Sequence, residues 1–356
     1  MRNFVYAPHL QRVIFGIGCV AALPEEMAKM GGTKALVLCT PQQRGDADHA
    51  AALLGTACAY VFDRAAMHVP AALAREASAL ASRLGVDCVV AVGGGSTMGL
   101  AKAIALETSL PILAVPTTYA GSEVTAIYGL TEGGMKKTGK DARVLPRTVL
   151  YDAELTHGLP KGISATSGIN AIAHAAEGLY ASDGNPVMDL MALEGIAALA
   201  RALPILVNGD AAETTEARSQ ALYGAWLCGT VLGNVGMALH HKLCHTLGGS
   251  FALPHAETHT VVLPHALAYN AEAAPDAMRR IAAALGRPEA SAATAVFDLA
   301  VSCGAPTSLA AIGMQESDLD RACDLALQNQ YANPRALERQ AVRGLLDDAF
   351  HGRRPT

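Results

Sequence analysis

The chain reads as two parts: an α/β half built on a parallel sheet over residues 1–155, and an all-helical half over residues 156–356. Three observations carry this expectation. Short apolar runs alternate with helical stretches through the first 150 residues. Strand signals then nearly vanish, and long Ala/Leu-rich helical patterns take over. The chain has 356 residues, of which 51% are hydrophobic and 17% charged, enough apolar material for two cores.

In the first half, KALVLCT (34–40) is an apolar run that ends in a polar turn and enters an alanine-rich helix. CAYVF (58–62) leads into PAALAREASALASRLG (70–85), which has proline at the helix start and glycine past its end. DCVVAVGGG (87–95) is followed by a helix through AKAIALETS, then by PILAVPTT (111–118). Unbroken buried runs separated by helices indicate parallel strands covered on both faces. Residues 125–151 read as an irregular excursion with a turn, closing on the strand TVLYD. In the second half, helical patterns cover 161–181, 186–207, 213–233, 237–248, 276–286, 291–303, 317–329 and 335–350. No internal repeat appears. Ligand pockets form at junctions between such halves, so the site is expected in the cleft between them.

A net charge of −5 argues against a nucleic-acid partner and against a polybasic membrane contact. MRNFVYAPHL holds no apolar signal core, and no apolar run is read as approaching a membrane span. The eight cysteines are scattered without a CxxC pair and read as free thiols, mostly small core residues, in a reducing cytoplasm.

GGGS (93–96) follows a buried strand and opens a helix. On its own this is most simply a tight turn. A second loop, PTTYAGSE (116–123), also follows a strand and offers three hydroxyls, Thr117, Thr118 and Ser122. Gly94, Gly95 and Ser96 let backbone N–H groups approach a pyrophosphate at a helix N-terminus. Two such loops at the carboxyl ends of adjacent parallel strands match nucleotide binding by open α/β sheets. The spacing departs from G-x-G-x-x-G, so this is a variant dinucleotide site. The first strand ends in Thr40-Pro41-Gln42-Gln43, with no acid to repel a 2′-phosphate. Weak discrimination between NADH and NADPH follows.

The chemistry-bearing residues of the helical half are histidines. His241 and His245 lie one helical turn apart, so both rings leave the same face. His255 follows a Gly-Gly break and Pro254 and reads as a loop residue. His174 sits one turn after Asn170 on another helix. Four histidines and an asparagine can thus converge from two helices and a loop. Imidazoles and an amide can coordinate zinc. The set lacks an anion, however, and with it a strong attraction for a dication. HKLCH also lacks the glutamate of HExxH, which makes a zincin protease a poor reading. His240 is expected to face away from His241 as a structural residue. His259 and His265 are left open, and His9, His49, His68, His157 and His351 belong to no cluster.

GGGSTMGLAK, PTTYAGSEVT, the His174 helix and HHKLCHTLGGSFALPH, in this order, resemble the iron-dependent (group III) alcohol dehydrogenase superfamily. The resemblance spans nearly the whole chain and is closest to the maleylacetate reductase branch. It implies a dehydroquinate synthase-like fold, with a Rossmann-like N-terminal domain, a helical C-terminal domain, and pairing as homodimers. In metal-dependent members an aspartate and three histidines hold iron or zinc. The matching positions here are Asn170, His174, His241 and His255, and His245 matches a further active-site histidine. Asn170 replaces the aspartate, Gly99 replaces an aspartate of the glycine-rich motif, and the PTT loop is one residue shorter and carries Tyr119. These departures, with LHHKLCHTLGG and NQYANPR (329–335), resemble the maleylacetate reductase pattern.

That branch implies reduction of a carbon–carbon double bond conjugated to a ketone, with NADH or NADPH and without a required metal. His241 and His245 are the expected enolate donor and proton donor, and His174 and His255 complete the cluster. The substrate is a dicarboxylate, so Arg335, Lys242 and the Tyr331 hydroxyl are its expected partners beside Asn170. Lys242 points to a different helix face from His241, which weakens its case. The competing enzyme readings are a metal-dependent alcohol dehydrogenase, opposed by Asn170, and a dehydroquinate-synthase-like lyase, opposed by the lack of a lysine cluster. A nucleotide-binding pseudoenzyme is opposed by the retained histidines.

Overall fold

Strands without a polar face must be covered on both sides, and ALVL, CVVAVG and ILAVP are buried at every position. The computed structural model of the chain describes residues 4, 6–8, 10–132, 135–328 and 331–356, without the side chains at 135, 136 and 211–213. His9, Asn329 and Gln330 therefore lie outside the described residues. Two units are formed, one over Pro8–Leu159 and one over Pro160–Thr356 together with the described residues among 1–7.

The first unit contains strands β1 (Arg12–Phe15), β2 (Ala35–Leu38), β3 (Cys58–Phe62), β4 (Cys88–Gly93), β5 (Ile112–Pro116), β6 (Ile127–Glu132), β7 (Met135–Lys140) and β8 (Thr148–Tyr151). Six of them form a parallel sheet of order β1-β8-β5-β4-β2-β3. Helices α1 (Leu23–Lys29), α2 (Arg44–Leu54), α3 (Ala71–Leu84) and α4 (Gly95–Thr108) connect them. The sheet adds one strand to the five read from the sequence: β1, only four residues long, is exposed at both ends. The supposed irregular excursion is also corrected, because β6 and β7 pair antiparallel from Ile127↔Lys140 to Glu132↔Met135.

The second unit holds α5 (Lys161–Gly178), α6 (Pro186–Asn208), α7 (Ala211–Asn234), α8 (Leu239–Phe251), α9 (His255–Asn270), α10 (Pro275–Ala284), α11 (Ala292–Ser302), α12 (Leu319–Leu327) and α13 (Arg339–His351). α5 is buried from Ser164 to Gly178. Glycine permits its close neighbours: a Cβ at Gly168 would strike Leu203 of α6, and one at Gly178 would strike Val231 of α7.

Three sequence expectations change here. α9 is a full helix where the sequence suggested a loop, since it is buried on nearly every side and shows little amphipathic period. α8 runs through Gly248-Gly249, and the chain turns instead at Ala252, which is left-handed with φ 55°. The last helix begins at Arg339, so Arg335 precedes it. One membrane expectation is corrected as well. α6 has 23 residues and contains an 18-residue stretch with a mean hydropathy of 1.8, so it is long and apolar enough to span a bilayer by length and composition. It carries Asp189, Glu194 and Arg201 and packs against α5, α7 and α10.

Candidate active site

The ends of three adjacent strands converge at the glycine-rich loop. β4 finishes at Gly93 (φ 152°), and Gly94 precedes α4 without any side-chain cap, leaving the helix's first N–H groups open. A Cβ at Gly93 would collide with Thr97 Oγ1, and one at Gly94 would lie 2.7 Å from Thr118 Cγ2. Bare backbone at these positions is what lets the β5 loop close onto the helix N-terminus. Gln43, just beyond β2, donates to Thr117 Oγ1 and accepts from Thr40 Oγ1 at 3.2 Å. The structure therefore brings Thr40, Gln43, Gly94, Thr117 and Thr118 together. Gln42 and Gly95 are exposed, and Ser96 and Ser122 are half-buried. Open N–H groups with no Cβ in front of them, ringed by hydroxyls, fit a pyrophosphate. Gly99 has a steric cause too: a Cβ there would lie 2.5 Å from Val69 Cγ2, on a residue with φ 44°.

Sequence reasoning missed Lys102, which anchors the same region. It is fully buried on α4 and donates to Ser122 O (2.6 Å), Thr125 O (2.9 Å), Thr125 Oγ1 (2.9 Å) and Ile127 O (2.7 Å). Burial brings its pKa from 10.5 down to about 7, opposed by the charge of Glu123. Glu123, itself pushed up by burial, accepts from Tyr151 Oη at 2.8 Å. One ammonium group thus ties together the segment that carries Ser122.

In the helical unit, Asn170, His174 and Glu177 share one face of α5 by their four- and three-residue spacing. Glu177 is fully buried and reaches the N-terminus of α8. Oε2 accepts from Ala238 N at 2.8 Å and His241 N at 3.3 Å, and Oε1 accepts from His240 N at 2.8 Å. A carboxylate there satisfies N–H groups that the helix cannot pair. The same Oε2 lies 2.7 Å from His241 Nδ1. The His241 ring centroid is 5.2 Å from that of His174, 6.1 Å from His245 and 5.1 Å from His259. His255 reaches the group through His259, with centroids 4.4 Å apart. The four predicted histidines are therefore brought together, from three helices. His174 and His241 are buried, while His245 and His255 are exposed. Asn170 Oδ1, His174 Nδ1 and His241 Nε2 are buried without a hydrogen-bond partner.

His240, expected to face away from the cluster, instead joins it: its ring centroid lies 5.1 Å from that of His241, and its Nε2 lies 3.0 Å from His259 Nδ1. Burial pushes His174, His240 and His259 well below the usual 6.5, and neighbouring histidines add to the effect. His265 is pushed to about 4 by burial, opposed by Asp348. Among the described residues, His240, Cys244 and His259 form a group whose ligand atoms all lie within 4.8 Å of one another. The Cys244 thiol is held well above its usual pKa by burial and by Glu177.

The expected substrate partners are placed unevenly. Lys242 Nζ lies over the Tyr331 ring, 5.7 Å from its centroid, and the Tyr331 hydroxyl is buried without a partner. Arg335 is exposed; its guanidinium stacks on Tyr269 at 4.4 Å and donates to Tyr269 O at 3.3 Å. Asn333 ties this segment to α9 through Asn270, donating to its Oδ1 at 2.8 Å. A cavity of about 370 Å³ beside Tyr180, Ala238 and Asn333 is lined by none of the histidines.

Residues 10–153 match the iron-containing alcohol dehydrogenase family, and residues 164–350 match the C-terminal part of the Fe-containing alcohol dehydrogenase family. The chain belongs to the iron-containing alcohol dehydrogenase family. It is 60% identical, over the full length of both chains, to a maleylacetate reductase of Burkholderia cepacia. The crystal structure of maleylacetate reductase from Agrobacterium tumefaciens is 53% identical, covers all of both chains and superposes with a TM-score of 0.95. That from Rhizobium sp. strain MTP-10005 is 53% identical with a TM-score of 0.94, again over all of both chains.

The family implies iron, so the donor set has to be tested against it. Asn170 Oδ1 and the three imidazoles at His174, His241 and His255 are all uncharged donors, and a hard dication favours a carboxylate among its ligands. Glu177 on His241 Nδ1 is an arrangement that backs metal-ligating histidines and general acids alike. What separates the two uses is Asn170, and this donor set fits iron poorly.

Proposed function

We propose that the chain reduces the carbon–carbon double bond of maleylacetate with a reduced nicotinamide cofactor, giving 3-oxoadipate, and that no metal takes part. The observation that carries the proposal is a ring of histidines in which the one position suited to a carboxylate ligand holds Asn170. Full-length identity to named maleylacetate reductases supports the substrate.

The dinucleotide is held by the α4 N-terminus with Gly94, Gly95 and Ser96, by the hydroxyls of Thr117, Thr118 and Ser122, and by Thr40, Gln42 and Gln43. When bound, it supplies a hydride to the alkene carbon β to the ketone. Negative charge then develops on the ketone oxygen, and hydrogen-bond donors placed there stabilise it. His174, kept neutral by burial, suits donation of a hydrogen bond rather than release of a proton. His241 and His245 share the remaining work: one holds the enolate, and the other delivers the proton to the carbon α to the ketone. The exposed His245 and His255 let protons return from solvent. Arg335, Lys242 and Tyr331 are assigned to the two carboxylates, beside the Asn170 amide. No acid stands at the tip of β2, Thr40–Gln43, so discrimination between NADH and NADPH is weak. The eight free thiols suit a reducing cytoplasm, and the enzyme is taken to work as a homodimer.

The test is NADH oxidation with maleylacetate by protein stripped with a strong chelator and assayed for iron and zinc. Full activity without metal is the expected result. Activity lost on stripping and restored by iron or zinc would make Asn170 a ligand and favour the metal-dependent alternative, an alcohol dehydrogenase acting on small alcohols or aldehydes.

A further inference from the structure

We propose that Glu177 is the positioning residue that fixes the ring and the tautomer of His241, so that Nε2 is the nitrogen offered to substrate. This rests on the reading of His241 as part of the reaction's donor set, a role Nε2 fills once a proton from solvent reaches it and both ring nitrogens become donors. Glu177 is fully buried, and among the described residues its partners other than His241 Nδ1 are all donors: Ala238 N, His240 N, His241 N and, at 3.3 Å, Tyr180 Oη. A carboxylate so surrounded acts as an acceptor on both oxygens, so the His241 nitrogen 2.7 Å away carries the hydrogen. The proton of the neutral ring is then on Nδ1, the position that free histidine favours less. Nε2 is left buried and without a partner within the protein. The ring is doubly constrained, because the carboxylate that holds Nδ1 also accepts the backbone N–H of the same residue. Three N–H groups at the start of α8 fix Glu177 in turn, so the orientation of the catalytic ring is set by a helix end and does not depend on side-chain packing alone.

The direct test is ¹⁵N NMR of histidine-labelled, chelator-stripped protein, with the His241 signals assigned by their loss in His241→Asn. A protonated Nδ1 with an unprotonated Nε2 is expected; the opposite tautomer would overturn the proposal. In Glu177→Gln the shape is kept, but one of the two acceptor oxygens becomes a donor facing N–H groups. Its kcat with maleylacetate should fall roughly 10- to 100-fold while KM for NADH is unchanged. An unchanged kcat in folded Glu177→Gln refutes the positioning role. If that variant does not fold, the NMR result on the wild-type chain decides alone. Failure of the wild-type chain to oxidise NADH with maleylacetate overturns the functional reading, and the His241 resonances still report the tautomer independently.

Discussion

Lowering the pH from 7.0 to 5.5 is expected to remove roughly 4–5 kcal/mol of stability from the metal-free protein. Four histidines of the helical unit, His174, His240, His259 and His265, are at least 96% buried, and burial lowers each pKa, to about 4 for His265 and well below 6.5 for the others. In the unfolded chain the same side chains bind protons near pH 6.5. The folded state thus holds fewer protons than the unfolded state once the pH falls below that value, and stability declines as the pH is lowered. The contribution is fully present above pH 6.5. A ring that stays neutral in the folded state loses roughly 1 kcal/mol between pH 7.0 and 5.5, so four such rings lose roughly 4–5 kcal/mol. That is a large share of the ~5–15 kcal/mol typical of a folded domain. Free carboxylates titrate near 4, below this window, whereas buried Glu123, pushed up, and Lys102, brought down to about 7, add a proton change of their own that the same titration of Lys102→Met controls for. The assay is urea unfolding followed by circular dichroism at pH 7.0, 6.5, 6.0 and 5.5, with proton uptake measured at the lowest value. Nearly four protons per chain should be taken up on unfolding at pH 5.5. A midpoint that does not move, or uptake below about one proton, would mean that these rings are charged in the folded state and would refute the burial argument.

Other perturbations have equally definite outcomes. Gly178→Ala drives a Cβ into Val231 Cγ1 and should cost about 1–3 kcal/mol in thermal or urea unfolding. Gly249→Ala, where nothing lies within 4 Å, should be neutral or stabilising by up to about 1 kcal/mol. Lys102→Met leaves three carbonyl oxygens and a hydroxyl without their shared donor, so NADH binding followed by fluorescence should weaken roughly 10-fold or more while the helical circular dichroism of the chain persists. Asn170→Asp restores an anion to the ring of imidazoles and should raise binding of zinc or iron, by elemental analysis, above that of the parent chain. Failure of that variant to bind metal would show that the missing carboxylate is not what excludes the dication.

The sheet was legible in the sequence wherever a strand is covered on both faces. β2, β4 and β5 are unbroken aliphatic runs because no position meets water. β1 escaped notice because four residues exposed at both ends leave no pattern to read. α9 escaped for the opposite reason. A helix buried nearly all round has little amphipathic period, and Pro254 and Pro264 at its start and within it read as breaks. The Gly-Gly pair misled for a related cause: Gly249 faces open space and costs the helix some propensity but does not end it, whereas the real turn needed only Ala252 in a left-handed conformation. The histidine spacing was informative because i, i+4 places rings on one face whatever the surrounding fold. Glu177 had the same kind of signal, three residues after His174. It passed unread because a lone acid among alanines looks like an isolated charge until its partners on α8 are in place.

Asn170 and Glu177 carry opposite implications when taken singly, and a sharper one together. An asparagine among imidazoles lowers the attraction for a dication, and a buried carboxylate against an imidazole raises the site's capacity to support positive charge. The difference lies in where the positive charge is to sit. A carboxylate at position 170 would place its negative charge among the ligand atoms, where a bound metal would neutralise it. At Glu177 the negative charge lies behind His241 Nδ1, 2.7 Å away and already engaged by backbone N–H groups, so a cation bound to Nε2 meets it only through the ring. Charge can therefore enter the site as a proton on an imidazole more readily than as a metal ion. That arrangement suits a reaction whose second step is protonation of carbon better than an alcohol oxidation, which calls on a Lewis acid.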